Sequence, residues 1–87
     1  MAEFEYAFVS LPTEFGSAVR IARKNRGMSQ TELAQASGCS QRFVSQLERG
    51  KQTAELGKAL QVAKAAGLRM FLEDADAVDE TRELVDQ

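Results

Sequence analysis

The sequence contains no histidine and no tryptophan, one cysteine, one proline, and no apolar run longer than a few residues. Without histidine the usual general base and the commonest metal ligand are both missing. The single Cys39 cannot close an intrachain disulfide, and no pair of Cys or His exists to hold zinc. The short apolar runs exclude a membrane-spanning helix. The acidic opening, MAEFEYAFVS, lacks the basic start of a signal peptide. A reducing, cytoplasmic location is expected, with no membrane, no metal and no cofactor. Catalysis would need a nucleophile with its base, or paired carboxylates in a persuasive setting. No such constellation is visible, and the sequence does not read as an enzyme.

What is present is an uneven distribution of charge. The 87 residues suit one small domain with a modest core, and the formal net charge is only −2. Between Phe15 and Arg69, however, ten basic residues face three acidic ones, a local charge of +7. Residues 1–14 carry −3 and residues 70–87 carry −6. A basic middle between acidic ends points to a polyanionic partner for the middle, whereas scattered Lys and Arg alone would suit any solvated helical surface.

Helix signals recur through that middle. Pro12 suits a first helical turn and Thr13 a cap; Phe15, Ala18, Val19 and Ala22 form an apolar stripe that Gly27 ends. The run SQTE at 29–32 is a capping box, in which Ser29 caps a second helix and Glu32 reaches back to the Ser29 amide. Gly38 stands where that helix must stop in the left-handed conformation. Ser40 caps a third helix from about Gln41 to Arg49, stopped by Gly50. Thr53 can cap a fourth, with Leu56, Ala59, Leu60 and Ala63 as its stripe and Gly67 as its end. The expected fold is all-α: a compact unit of four helices over 12–67, or five if the acidic tail is helical.

The ends read differently. Residues 68–74, LRMFLED, alternate Leu68, Met70 and Leu72 against Arg69, Phe71 and Glu73, the pattern of a short β-strand. A lone strand has unpaired edges, so pairing with its own copy in a homodimer is expected, with Leu68, Met70, Phe71 and Leu72 at the interface. Residues 1–11 read as an arm or a short outer strand, because 3–9 alternate too. Residues 75–87 form an acidic tail, disordered or weakly helical.

Within the middle, ELAQASGCSQRFVSQLERGK places a tight turn, Gly38-Cys39-Ser40, between two short amphipathic helices. Neither could persist alone at about eight residues, so each must bury its stripe on something else. The spacing fits a helix-turn-helix unit, with Ala34 where the helices cross and Val44 and Leu47 facing the core. Cys39 reads as a small hydrophobe bridging the turn, without a neighbour to activate its thiol. With Val44 and Leu47 buried, Gln41, Arg42, Ser45 and Gln46 project outward. Gln presents a bidentate amide to adenine and Arg a fork to guanine in the major groove. Ser29, Gln30 and Ser40 stand at helix N-termini that favour phosphate, and Arg49 and Lys51 flank the Gly50 stop as further backbone contacts.

The stretch SQTELAQASGCSQRFVSQLERGK resembles the Cro/CI-type (XRE) helix-turn-helix family, over about residues 15–66. The longer SQRFVSQLERGKQTAELGKALQVAKAAGL, followed by a short strand, is similar to HipB-type antitoxins. The resemblance implies a homodimeric repressor on palindromic double-stranded operator DNA. For the narrower group it also implies a HipA-type serine/threonine kinase toxin as partner. Residue by residue, Gln30 matches a phosphate contact, Gln41, Arg42 and Ser45 match recognition positions, and Gln46 matches a base reader of some relatives. Arg23 matches an arginine that pairs with the glutamate at the position of Glu48. Phe43 departs from the small polar residue usual in phage repressors, and packing on the second helix is its expected role. A stand-alone regulator and a protein-interaction module are the alternatives.

Overall fold

The computed structural model describes residues 4–76. Four α-helices follow one another: α1 Pro12–Asn25, α2 Gln30–Ser37, α3 Gln41–Glu48 and α4 Leu56–Ala65. α3 packs against α1 and α2, and α4 closes the other side of α2. Their shared core is Val19 and Ala22 of α1, Leu33 and Ala34 of α2, Val44 and Leu47 of α3, with Ala59, Val62 and Ala63 from α4 and Ala66 just after it. Half of these ten are alanine, so the helix axes lie close and the core is thin. Phe15, Met28, Cys39, Phe43 and Leu68 are partly buried against its rim.

The turns follow the local chemistry. Ser29 Oγ accepts from the Glu32 amide at 3.0 Å while Glu32 Oε1 accepts from the Ser29 amide at 2.8 Å, a complete capping box. Ser40 Oγ accepts from the Phe43 amide at 3.0 Å and starts α3. Between them Gly38 ends α2 at φ 74°, a value that a side chain disfavours.

Two helix starts differ from the sequence expectation. Thr13 lies inside α1; the cap position is Leu11, whose side chain cannot accept a hydrogen bond. The Leu11 carbonyl takes the amides of Glu14 at 3.0 Å and Phe15 at 3.1 Å, while Glu14 reaches back, its Oε1 taking the amides of Ser10 at 2.7 Å and Leu11 at 3.0 Å. Thr53 likewise does not cap α4, which begins after Glu55 without a side-chain cap. The α4 stripe is also rotated from the expected one. Ala59 and Ala63 are buried together with Val62 and Ala66, whereas Leu56 is 70% and Leu60 43% exposed. The small residues win because α4 must approach α2 closely, and a leucine there would hold the helices apart.

Among the described residues no strand forms. Residues 68–74 are irregular, because a strand is defined by its ladder and nothing in the single chain pairs with them. The described part of the N-terminal segment, 4–11, is also without a strand. Most of the acidic tail, 77–87, lies outside the described residues, as does any fifth helix within it.

Two contacts lock α1 to α3. The first is backbone-close: a Cβ built on Gly16 would lie 2.4 Å from the Leu47 carbonyl oxygen and 2.7 Å from that of Glu48. The second is a buried ion pair. Arg23 Nε donates to Glu48 Oε2 at 2.7 Å and its Nη2 to Glu48 Oε1 at 3.0 Å, the two-pronged geometry of a guanidinium on a carboxylate. Arg23 Nη1 also donates to the Met28 carbonyl at 2.8 Å, tying the α1–α2 turn to the same point.

Gly16→Ala is expected to lower unfolding free energy by about 2–3 kcal/mol, since the obstructing atoms are backbone and cannot rotate away. Glu48→Ala should cost roughly 3 kcal/mol or more by leaving the Arg23 charge buried and unpaired. Urea melts of both variants check these values. A change within error of zero would refute the contact concerned.

Candidate nucleic-acid interface

The buried pair continues outward as a chain of side-chain hydrogen bonds. Gln30, first residue of α2, donates its Nε2 to Glu48 Oε1 at 3.1 Å. Gln41, first residue of α3, donates its Nε2 to Gln30 Oε1 at 3.0 Å. The amide of Gln41 is thereby oriented, with its Oε1 and one N–H still available. One fixed charge pair in the core thus orients an exposed side chain two residues away along the network. The sequence points to each of these residues singly; their linkage is not visible there, because Gln30 and Gln41 come together only once the turn is folded.

The outer face of α3 carries the other polar groups. With Val44, Leu47 and Glu48 buried, helical geometry turns Arg42, Ser45 and Gln46 to the opposite side. Arg42 is exposed and makes no hydrogen bond or ion pair among the described residues. Lys51 Nζ donates to Gln46 Oε1 at 3.2 Å, and Arg49 Nη2 donates to Ser45 Oγ at 2.7 Å. The sequence alone does not reveal that Arg49 and Lys51 fold back along the helix. Phe43 sits at the edge of this face, half-buried against the core, with Lys58 Nζ 6.0 Å above its ring.

Backbone donors frame the face on one side. The amides of Gln30 and Thr31 at the start of α2, and of Gln41 and Arg42 at the start of α3, are the orphan donors of their helices. Ser29 and Ser40 leave these free by capping the third helical amide instead. The carboxylates nearby are committed, Glu32 to its capping box and Glu48 to Arg23. The surface of α2, α3 and the following turn is therefore positive, through Arg42, Arg49 and Lys51. Polar forks lie along its middle and amide donors at its edge, suited to a duplex groove flanked by phosphates.

Elsewhere, Met70, Phe71 and Leu72 are exposed at 50%, 70% and 89%, while Leu68 is half-buried beside α4. Leu60 of α4 lines a shallow groove with Leu68 and Met70, and Leu56 is exposed as well. Cys39 lies half-buried at the turn, its Sγ 3.8 Å from the Ser37 carbonyl and from Gln61 Oε1. Among the described residues no group of His, Cys, Asp and Glu could hold a metal ion, and no helix is long and apolar enough to cross a membrane.

Residues 19–71 match the family model HTH_3, helix-turn-helix. Over 59 residues the chain is 44% identical to the uncharacterized HTH-type transcriptional regulator y4mF of Sinorhizobium fredii (strain NBRC 101917 / NGR234), spanning 68% of this chain and 78% of that protein. It is 37% identical over 68 residues to the regulator y4dL of the same strain, covering 78% of this chain but only 35% of the longer y4dL. Among solved structures, a chain of the HipB(S29A)-O2 20mer complex superposes with a TM-score of 0.75 at 26% identity, covering 83% of this chain and 100% of that one. A chain of the HipA-HipB-O2-O3 complex superposes with a TM-score of 0.74 at 25% identity, covering 82% of this chain and 100% of that one. The fold, the positive groove-facing surface and the matched region agree: this chain belongs to the HTH_3 helix-turn-helix family of DNA-binding transcriptional regulators.

Proposed function

We propose that the protein is a homodimeric repressor that binds a palindromic operator through α3 and acts as a HipB-like antitoxin, restraining a HipA-type kinase toxin and repressing its own operon. The observation that carries the DNA half of this reading is the shared outer face of α3. There Gln41, Arg42, Ser45 and Gln46 stand together, with no uncommitted carboxylate among them. In this reading they meet base edges in the major groove. The helix starts at Ser29, Gln30 and Ser40 receive phosphates of one strand, and Lys51 receives those beyond the α3 end. The antitoxin half is supported by the likeness to HipB chains, one of them from a complex with HipA.

Exposed apolar side chains support the dimer. Leu56, Leu60, Met70, Phe71 and Leu72 are exposed in the single chain, and a second copy related by a two-fold axis covers like with like. Antiparallel pairing of 68–74 with its copy gives both segments the ladder that each lacks. Two α3 helices are then held roughly 34 Å apart, one turn of DNA, as a palindromic site requires.

Fluorescence anisotropy with the duplex upstream of the chain's own reading frame tests the DNA reading. Tight, salt-dependent binding that survives excess random DNA is expected; equal affinity for both would overturn it. Arg42→Ala should lower specific affinity by about 1–3 kcal/mol and relax preference at one base pair per half-site. Leu72→Asp with Phe71→Asp should yield a monomer in sedimentation with a much weaker operator complex, because the two half-sites are no longer bound together. An unchanged dimer would place the interface elsewhere. Co-purification with a HipA-type kinase encoded beside it separates the antitoxin from a stand-alone regulator.

A further inference from the structure

We infer that Arg49, together with Ser45, is a base-reading unit of the recognition helix and not one of its backbone contacts. Resting on the DNA-binding reading above, the inference assigns Arg49 the second guanine fork of the half-site, with Ser45 as the residue that positions it. Its place at the end of α3, beside Gly50, suggests from sequence a contact to the far phosphates. The course of the side chain says otherwise.

Arg49 keeps helical backbone angles, φ −86° and ψ −3°, so it extends the periodicity of α3 by one residue. Arg42, Ser45, Gln46 and Arg49 therefore fall at i, i+3, i+4 and i+7, one continuous stripe opposite the buried Val44, Leu47 and Glu48. The Arg49 side chain then runs back along that stripe toward the helix start, where its Nη2 donates to Ser45 Oγ at 2.7 Å. Four residues of helix rise is about 6 Å. The guanidinium is thus drawn back from the helix end to the side chain one turn before it. A phosphate contact would want that group off the helix end, near Lys51; it lies instead beside Ser45 on the outer side of α3.

Its remaining donors suit a base edge. The bond to Ser45 uses one of five N–H groups, and the second N–H of Nη2 still forms, with Nη1 or with Nε, the parallel pair of donors that guanine O6 and N7 accept. No carboxylate competes, since Glu48 on the same turn is bound to Arg23 inside the core. Ser45 is then a positioning residue. Its hydroxyl oxygen accepts from Arg49 and fixes which way the fork faces, while its own proton remains available to the base or to water. The worth of such an exposed bond to folding is small. Its consequence is orientation.

Selection of duplexes from a randomised library, with wild type, Arg49→Lys and Ser45→Ala, tests the inference. Wild type should enrich a palindrome. Arg49→Lys keeps the charge but loses the planar fork, and should flatten the preference at one G·C pair per half-site, a loss of roughly 5- to 150-fold in discrimination there. Ser45→Ala should weaken preference at that same pair. Replacing that guanine by 7-deazaguanine, which lacks the N7 acceptor, should weaken wild type but leave Arg49→Lys almost unaffected. If Arg49→Lys retains every base preference, or Arg49→Ala lowers affinity for all duplexes alike and makes the salt slope shallower by about one ion, Arg49 is a backbone clamp and the inference is overturned. If Ser45→Ala changes nothing at the pair lost in Arg49→Lys, the positioning role is overturned. A wild type that enriches no sequence would instead overturn the DNA-readout reading beneath both.

Discussion

The Arg23–Glu48 pair is the constraint on which the rest of the structure hangs. Two opposite charges held out of water demand that both partners stay in register, because displacement of either leaves an ion with neither solvent nor counterion. That demand fixes α1 against α3 through Nε and Nη2, and the α1–α2 turn through the Met28 carbonyl. It also fixes Gln30 and, through it, Gln41. A hydrophobic pair of equal volume could hold the helices together just as firmly. It could not orient a side-chain amide on the surface, which needs a directional acceptor in the core. The ion pair therefore serves the geometry of the outer face as much as the cohesion of the interior.

Much of the fold was legible because short helices announce their ends. The Ser29–Glu32 box, the Ser40 cap and the left-handed Gly38 are local chemistry, decided within four residues of chain, and the sequence predicts all three. The departures are where a distant partner decides. Thr13 looks like a cap beside Pro12, but it lies inside the helix, whose entry is held by Glu14 reaching back to the amides of Ser10 and Leu11. In α4 a hydropathy stripe favours Leu56 and Leu60, whereas the closeness of α2 selects Ala59, Val62, Ala63 and Ala66. Gly16 was silent in sequence, since nothing near it hints that the carbonyls of Leu47 and Glu48 press against its Cα.

The candidate interface shows the same division. Which residues stand outside α3 follows from helical periodicity once Val44 and Leu47 are taken as buried. How their side chains lie does not, because Arg49 and Lys51 choose partners one turn back, and rotamers of long basic residues leave no pattern in sequence. The segment 68–74 is the other case. Its alternation reads as a strand, yet its ladder would have to come from another molecule, so one chain alone leaves it irregular.

The alanine-rich core has a consequence for how such a protein can diversify. Helices this close tolerate neither a larger side chain, which would force them apart, nor a smaller one, since only glycine remains and would loosen the helix itself. The five alanine positions of the core are thus almost frozen in volume. Variation is channelled outward, onto the stripe of Arg42, Ser45, Gln46 and Arg49, where the side chains lie outside the core. New target sequences can be explored there one side chain at a time, over a frame that does not change.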